Sequence, residues 1–174
     1  TFDVEGDTYG TSPMSINPSG TVTGHWGDEN GLVHGFVRAD DGTITSFAAA
    51  DGTGGTFPQN INAAGTIAGY YADSNYLFHA FVRTNDGTLT EFDAPGAMST
   101  VANSINGKGA ITGYYLDGNF AAHGFVRSPG GKFRSFDVQD AVGTFPNNIS
   151  DTGLVTGWYT TADENYHGFL RSND

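Results

Sequence analysis

A single all-β domain, a four-bladed β-propeller of four-stranded antiparallel blades, is the fold this sequence predicts, and three observations predict it. First, one unit recurs four times. "INPSGTVTGHW" begins at Ile16, "INAAGTIAGYY" at Ile61, "INGKGAITGYY" at Ile105 and "ISDTGLVTGWY" at Ile149, so successive starts lie 45, 44 and 44 residues apart. Second, the composition is that of short strands and turns: aromatic residues make up 13% of the 174, and Gly alone supplies 26, with no apolar stretch at helical period. Third, "TFDVEG" at the start matches "EFDAPG" and "SFDVQD", pieces that end the second and third units, while the fourth unit stops at "HGFLRSND" without such a piece. Four strands in about 44 residues make a propeller blade, and the first six residues supply the strand that the last blade lacks. Blades are expected over 11–48, 56–94, 100–138, and 144–174 plus 1–6, with the ring closed by the N-terminal strand pairing into the C-terminal blade.

Each unit resolves into four pieces in order. The first ends at the Ile, as in "TFPQNI" and "TFPNNI". The second follows a Gly-containing turn, as in "TIAGYY". The third is "HGFVR" or "HAFVR". The fourth, such as "TLTEF", is reached through "DDG", "NDG" or "PGG", turn sequences that suit hairpins because Gly takes positive φ without steric cost. Blades pack face to face, which buries both sides of most strands and blurs strict alternation. The expected inter-blade core is Ile16, Ile61, Ile105 and Ile149, Val22, Ile67, Ile111 and Val155, and the columns Phe36, Phe81, Phe125, Phe169 and Phe2, Phe47, Phe92, Phe136.

Charge limits the function. Nineteen acids face seven Lys plus Arg, for a formal net charge of −12. Such a surface repels phosphate backbones and anionic lipid, which argues against nucleic-acid partners. No apolar run approaches the roughly 18 residues a membrane span needs, so no membrane insertion is expected. No leader is legible, and the abrupt opening is that of a trimmed mature domain. The absence of Cys removes disulfide and thiolate chemistry and fits either compartment. A monomer is expected.

Four of the five His (His34, His79, His123, His167) and four of the five Arg (Arg38, Arg83, Arg127, Arg171) fall at fixed repeat positions four apart. On a strand they share a face with the intervening Phe. A ring of four His would resemble a metal or proton-relay site. Their place on the third strand of separate blades makes structural satisfaction of backbone and carboxylate groups the expectation instead. Asp3, Asp93 and Asp137 are candidate partners for Arg in three blades, Ala48 standing at that place in the first.

Ahead of each His lies "DEN", "DSN" or "DGN", displaced by two residues in the fourth unit. Asp-x-Asn can ligate calcium, but the distal Glu of a calcium loop is missing and Asx turns account for the pattern. Tyr76, Phe120 and Tyr166 in these loops, with Trp26, are candidate ligand-binding aromatics: rings beside Asp and Asn suit sugars, and inter-blade packing is the plainer use. Asn17, Asn62, Asn106 and Ser150 would stand around the axis, where they could hold a cation in the central channel, an ordered water column being the alternative. No other cofactor is expected. No nucleophile elbow, P-loop or HExxH is present.

The sequence resembles the HAF family of probable extracellular repeats. "HAF" itself stands at His79–Phe81, "HGF" stands at the other three sites, and the accompanying "IN..G.I.G.Y" pattern also fits; the resemblance covers nearly the whole chain. It implies a bacterial secreted or cell-surface propeller and carries no catalytic residue. The function expected is therefore a non-catalytic extracellular binding or scaffold module for a protein or glycan. The alternatives are a lectin or glycan hydrolase using rim aromatics and acids, and a purely structural domain of a larger exported protein.

Overall fold

The computed structural model describes residues 1–172 and is all-β, with fifteen strands and no helix among them. The strands are β1 (Thr11–Ile16), β2 (Val22–Gly27), β3 (Val33–Arg38), β4 (Ile44–Phe47), β5 (Gly55–Ile61), β6 (Ile67–Ala72), β7 (Phe78–Arg83), β8 (Leu89–Phe92), β9 (Ser99–Ile105), β10 (Ile111–Leu116), β11 (Ala122–Arg127), β12 (Phe133–Phe136), β13 (Gly143–Ile149), β14 (Val155–Thr160) and β15 (Tyr166–Arg171). They form antiparallel meanders β1-β2-β3-β4, β5-β6-β7-β8, β9-β10-β11-β12 and β13-β14-β15. One parallel bridge, Ala122 to Gly143, links the third meander to the fourth.

The first strand of every blade carries a β-bulge: the register shifts between Pro13 and Ser15, Pro58 and Asn60, Ala102 and Ser104, and Pro146 and Asn148. A bulge bends the strand and swings its backbone toward its neighbour. Opposite the bulges stand Gly24, Gly69, Gly113 and Gly157, where a Cβ would lie 2.1, 2.4, 1.9 and 2.3 Å from the carbonyl oxygens of Ser12, Phe57, Val101 and Phe145. No side chain fits there, which is why the second piece of each unit contains this Gly.

The core lies between blades. Phe36, Phe81 and Phe125 are fully buried, as are Ile67, Ile111 and Val155. The chain also buries hydroxyls that the sequence does not flag. The half-buried Thr11, first in β1, and the buried Thr56, Thr100 and Thr144, second in β5, β9 and β13, accept the amides of Val4, Ala49, Ala94 and Val138 at 3.0–3.1 Å, satisfying polar groups that would otherwise be costly to bury.

Among the described residues the sheets do not close into a ring. Residues 1–10 contain no strand, and among the described residues no pairing joins 1–6 to β15. Yet the local geometry matches the sequence alignment of "TFDV" with the ends of β4, β8 and β12. Val4 makes the same amide-to-Thr bond as its counterparts, and Phe2 packs edge-on against Phe36 at 5.9 Å, as Phe47 does on Phe81 and Phe136 on Phe169, both at 6.0 Å. Residues 1–4 thus occupy the place of a preceding blade's fourth strand while no preceding blade is there. This corrects the core prediction at one position. Ile61, Ile105 and Ile149 are 5, 4 and 7% exposed, but Ile16 is 66% exposed because nothing covers the outer face of β1. The end of the fourth blade, at 173–174, lies outside the described residues.

Candidate functional site

Each blade carries one aromatic–imidazole pair fixed by strand register. Trp26 faces His34, Tyr71 faces His79, Tyr115 faces His123 and Tyr159 faces His167 across the β2–β3 type of pairing. The rings lie 4.8–5.2 Å apart and nearly parallel, so Trp26 serves as a stacking partner and its indole N–H donates to Ser46 Oγ at 3.1 Å. The imidazoles then meet carboxylates. His34 Nε2 lies 2.9 Å from Asp28. His79 sits between Asp93 (Nδ1, 2.8 Å) and Asp73 (Nε2, 3.8 Å), and His123 between Asp137 (3.0 Å) and Asp117 (3.7 Å). Among the described residues no group of three or more His, Cys, Asp or Glu is arranged to hold a metal ion.

Asp93 and Asp137 therefore go to His, and the expected Arg–Asp pairs at these two positions are replaced by a different contact. Arg38, Arg83, Arg127 and Arg171 place their guanidinium groups 4.3–5.0 Å from the ring centroids of Phe2, Phe47, Phe92 and Phe136. Each Phe belongs to the segment that precedes the blade of its Arg, so the cation–π contact is an inter-blade clamp. Burial pushes the Arg83 and Arg127 guanidinium groups below their ordinary range.

The Asp-x-Asn loops are Asx turns. Asp28 Oδ1 accepts the amides of Asn30 and Leu32, Asp73 Oδ1 those of Asn75 and Leu77, and Asp117 Oδ1 those of Asn119 and Ala121, all at 2.8–3.0 Å. These bonds hold the Asp73 and Asp117 carboxyls below the usual carboxylate range; for Asp28 the bond to His34 is the larger cause. In the fourth blade Thr161 takes the Asp position, because its amide pairs with Asn165 and it accepts from Glu164.

This turn requires one residue with left-handed backbone. Gly31 fills the place in the first blade and Glu164 in the fourth, whereas the second and third use Tyr76 (φ 60°) and Phe120 (φ 64°). A bulky residue is strained there. Both rings are nevertheless 77 and 71% exposed at the loop tips, so packing does not explain them. Tyr166 is not their counterpart. It opens β15, aligned with Phe78 and Ala122, and packs on Trp158 at 5.3 Å. The structure thus brings Tyr76 and Phe120 into equivalent positions and sets Trp26 and Tyr166 apart from them.

Beside the Tyr76 loop lies a cleft of about 330 Å³ lined by Asp51, Thr53, Tyr71, Asp73, Ser74 and His79. Tyr71 is buried and donates its hydroxyl to Glu91 at 2.9 Å. Burial first, and then the Glu91 carboxylate, hold its phenol well above the ordinary range, so it stays a hydrogen-bond donor at any neutral pH. Asp51 and Thr53 escape sequence reasoning because they belong to no repeated piece, and Glu91 because its repeat position holds Ser46 and Ser135 in neighbouring blades; only the fold places the β4–β5 connection against the second blade.

Asn17, Asn62, Asn106 and Ser150 are tied into the hydrogen bonding of their own turns and, for the three Asn, of the next blade. Each Asn Oδ1 accepts two amides of its own turn, at 2.9–3.1 Å. Each Nδ2 donates to the next blade's carbonyl: Asn17 to Asn62 at 3.3 Å, Asn62 to Asn106 at 3.1 Å and Asn106 to Ser150 at 2.9 Å. Ser150 Oγ accepts from Leu154. The set is a ladder stitching successive blades.

No protein-family profile matches the sequence, and no curated protein matches it. Solved structures do share its fold. A streptogramin B lyase is 15% identical, with a TM-score of 0.52 over 93% of this chain and 55% of that one. A catalytically inactive His-to-Ala variant of virginiamycin B lyase from Staphylococcus aureus, solved with quinupristin, is 16% identical, with a TM-score of 0.54 over 91% of this chain and 55% of that one. The chain spans a little over half the length of the structures it resembles. At such identities the likeness is one of architecture, and it makes this chain a run of β-propeller blades.

Proposed function

We propose that this chain is a non-catalytic binding module of HAF type, acting outside the cell, and that its second and third blades contact carbohydrate. The observation that carries this is the pair Tyr76 and Phe120. Two blades hold an aromatic ring in solvent at a turn position where Gly would be relaxed, and the rigid Asx turn keeps both tips in one orientation. Beside Tyr76 lies a cleft whose carboxylates, hydroxyls and imidazole suit a ligand rich in hydroxyl groups. The His79–Asp93 pair is better read as a blade device than as an acid–base dyad, because it recurs at His123–Asp137.

Glycan-array binding by the intact chain tests the reading. Tyr76→Ala and Phe120→Ala should each lower binding, and Asp51→Ala should alter which glycans bind. A wild-type chain that binds no glycan would overturn it.

Tyr76→Gly sharpens the test, since it relieves the left-handed strain. It is expected to raise stability by about 1 kcal/mol while binding falls. Loss of stability instead would mean that the ring serves the fold.

A further inference from the structure

The three internal blade interfaces follow one pattern, and the two end faces are its unmatched halves. At each interface the third strand of one blade meets the bulged strand of the next. Gly35 lies against Pro58: a Cβ on it would come within 2.8 Å of the Pro ring, and Gly124 stands in the same relation to Pro146 at 2.9 Å. At the interface between them the next blade has Ala102 in place of Pro, and there alone the sequence reads "HAF", with Ala80 fully buried in one cluster with Ala102. Two residues further along, Val37 packs on the cluster containing Ile61, and Val82 on the cluster containing Ile105.

The free face of β15 carries the first half of this pattern and the free face of β1 the second. Among the described residues a Cβ on Gly168 would meet only the Gly157 carbonyl, at 3.9 Å, and the position would accommodate Pro13, which is exposed. Leu170, in the place of Val37 and Val82, is 68% exposed, and Ile16, in the place of Ile61 and Ile105, is 66% exposed. The polar rungs match as well. Ser15, Asn60, Ser104 and Asn148 alternate, and Asn60 and Ser104 each accept the amide of the next blade's Ile, leaving Asn148 to do so for Ile16. Phe2 and Val4 already sit on the first blade as the fourth strand of whatever precedes it.

We propose that these faces mate between two copies of this chain, the last blade of each docking on the first blade of the other. The interface is the internal one made a fourth time, and its head-to-tail pairing in two copies closes the assembly. The packed internal interfaces favour a second copy over closure within one chain. With the three internal interfaces fully packed, the arc still leaves both end faces open, and four blades cover only 55% of propeller chains of like fold. A single-chain ring would have to re-angle all three interfaces.

Light scattering on the intact chain across a concentration series, with Ile16→Arg and Leu170→Arg variants, tests this. Both side chains are exposed in the arc, so each variant should keep the wild-type circular dichroism. The wild type should reach twice the 18.3 kDa chain mass, and each variant alone should stay at 18.3 kDa. An equimolar mixture of the two variants should recover two-copy particles, because one wild-type pair of faces remains between them. A wild-type chain that stays at one-chain mass at every concentration, particles larger than two copies, or variants that still pair alone would each overturn the proposal. The mass readout is independent of any glycan, so its failure is distinct from that of the binding reading.

Discussion

Gly113 is within 2 Å, by its missing Cβ, of a backbone carbonyl, and it shows how single residues carry this fold. Overpacking of this kind cannot be relieved by a side-chain rotation. Gly113→Ala should therefore cost about 3 kcal/mol in denaturant unfolding, whereas Gly118→Ala, with nothing within 4 Å, should change stability by less than about 0.5 kcal/mol. The Gly–Pro pairs are subtler. Gly35→Ala should destabilise by about 1–3 kcal/mol, and adding Pro58→Ala should recover part of that loss, a coupling that a double-mutant cycle measures directly. His25 is a third case. It holds the place of Tyr70, Tyr114 and Trp158 and packs edge-on to Phe57 at 5.6 Å, and burial pushes its pKa below the ordinary 6.5. The unfolded chain then binds the extra proton, so this site's contribution to stability falls as pH drops below about 6.5. His25→Tyr should flatten the dependence of melting temperature on pH between 7 and 5. The repeat made the Gly column legible in the sequence, but the reason for "HAF" against "HGF" was not, because it lies in the residue one blade away.

At the scale of elements, the loops show why parts of the candidate site were readable and parts were not. The Asx turns followed from "DEN", "DSN" and "DGN", since a short carboxylate there accepts amides two and four residues on. The fourth loop misled the alignment: its Asp163 belongs two places later and bonds Thr161 and Asn165 instead, which is why Tyr166 fell into the wrong group. At Asp93 and Asp137 the expected Arg pairing gives way for a different reason, since sequence proximity could not reveal that a carboxylate just after the fourth strand faces the His of the strand beside it. The turn carboxylates give a second pH prediction. Asp28, Asp73 and Asp117 have lowered pKa values, so their contribution is complete above the unfolded value of about 3.9 and is lost as pH falls through the lower folded values. Replacing the three by Asn, which can still accept the turn amides, should make unfolding less sensitive to acid below pH 4.

For the whole molecule, the repeat period dictated blades, their number and their order, while the shape of the ring depended on inter-blade angles that no residue pattern encodes. Residues 1–4 make on the first blade the contacts that the ends of β4, β8 and β12 make on theirs, with no last blade beside them among the described residues. Phe2→Ala should remove the ring beneath Arg38 and lower stability by about 2 kcal/mol, and removing residues 1–6 should cost more. Both end faces are open in one chain among the described residues, and in the proposed pair each is covered by the other copy. Hydrogen exchange of the intact chain, followed from dilute to concentrated solution, tests it most directly. Protection of 11–16 and 166–171 should rise with concentration while protection of β5–β7 and β9–β11 stays constant. Full protection of both end strands in the most dilute sample would rule out pairing between copies, because it would mean that a single chain already closes its own ring.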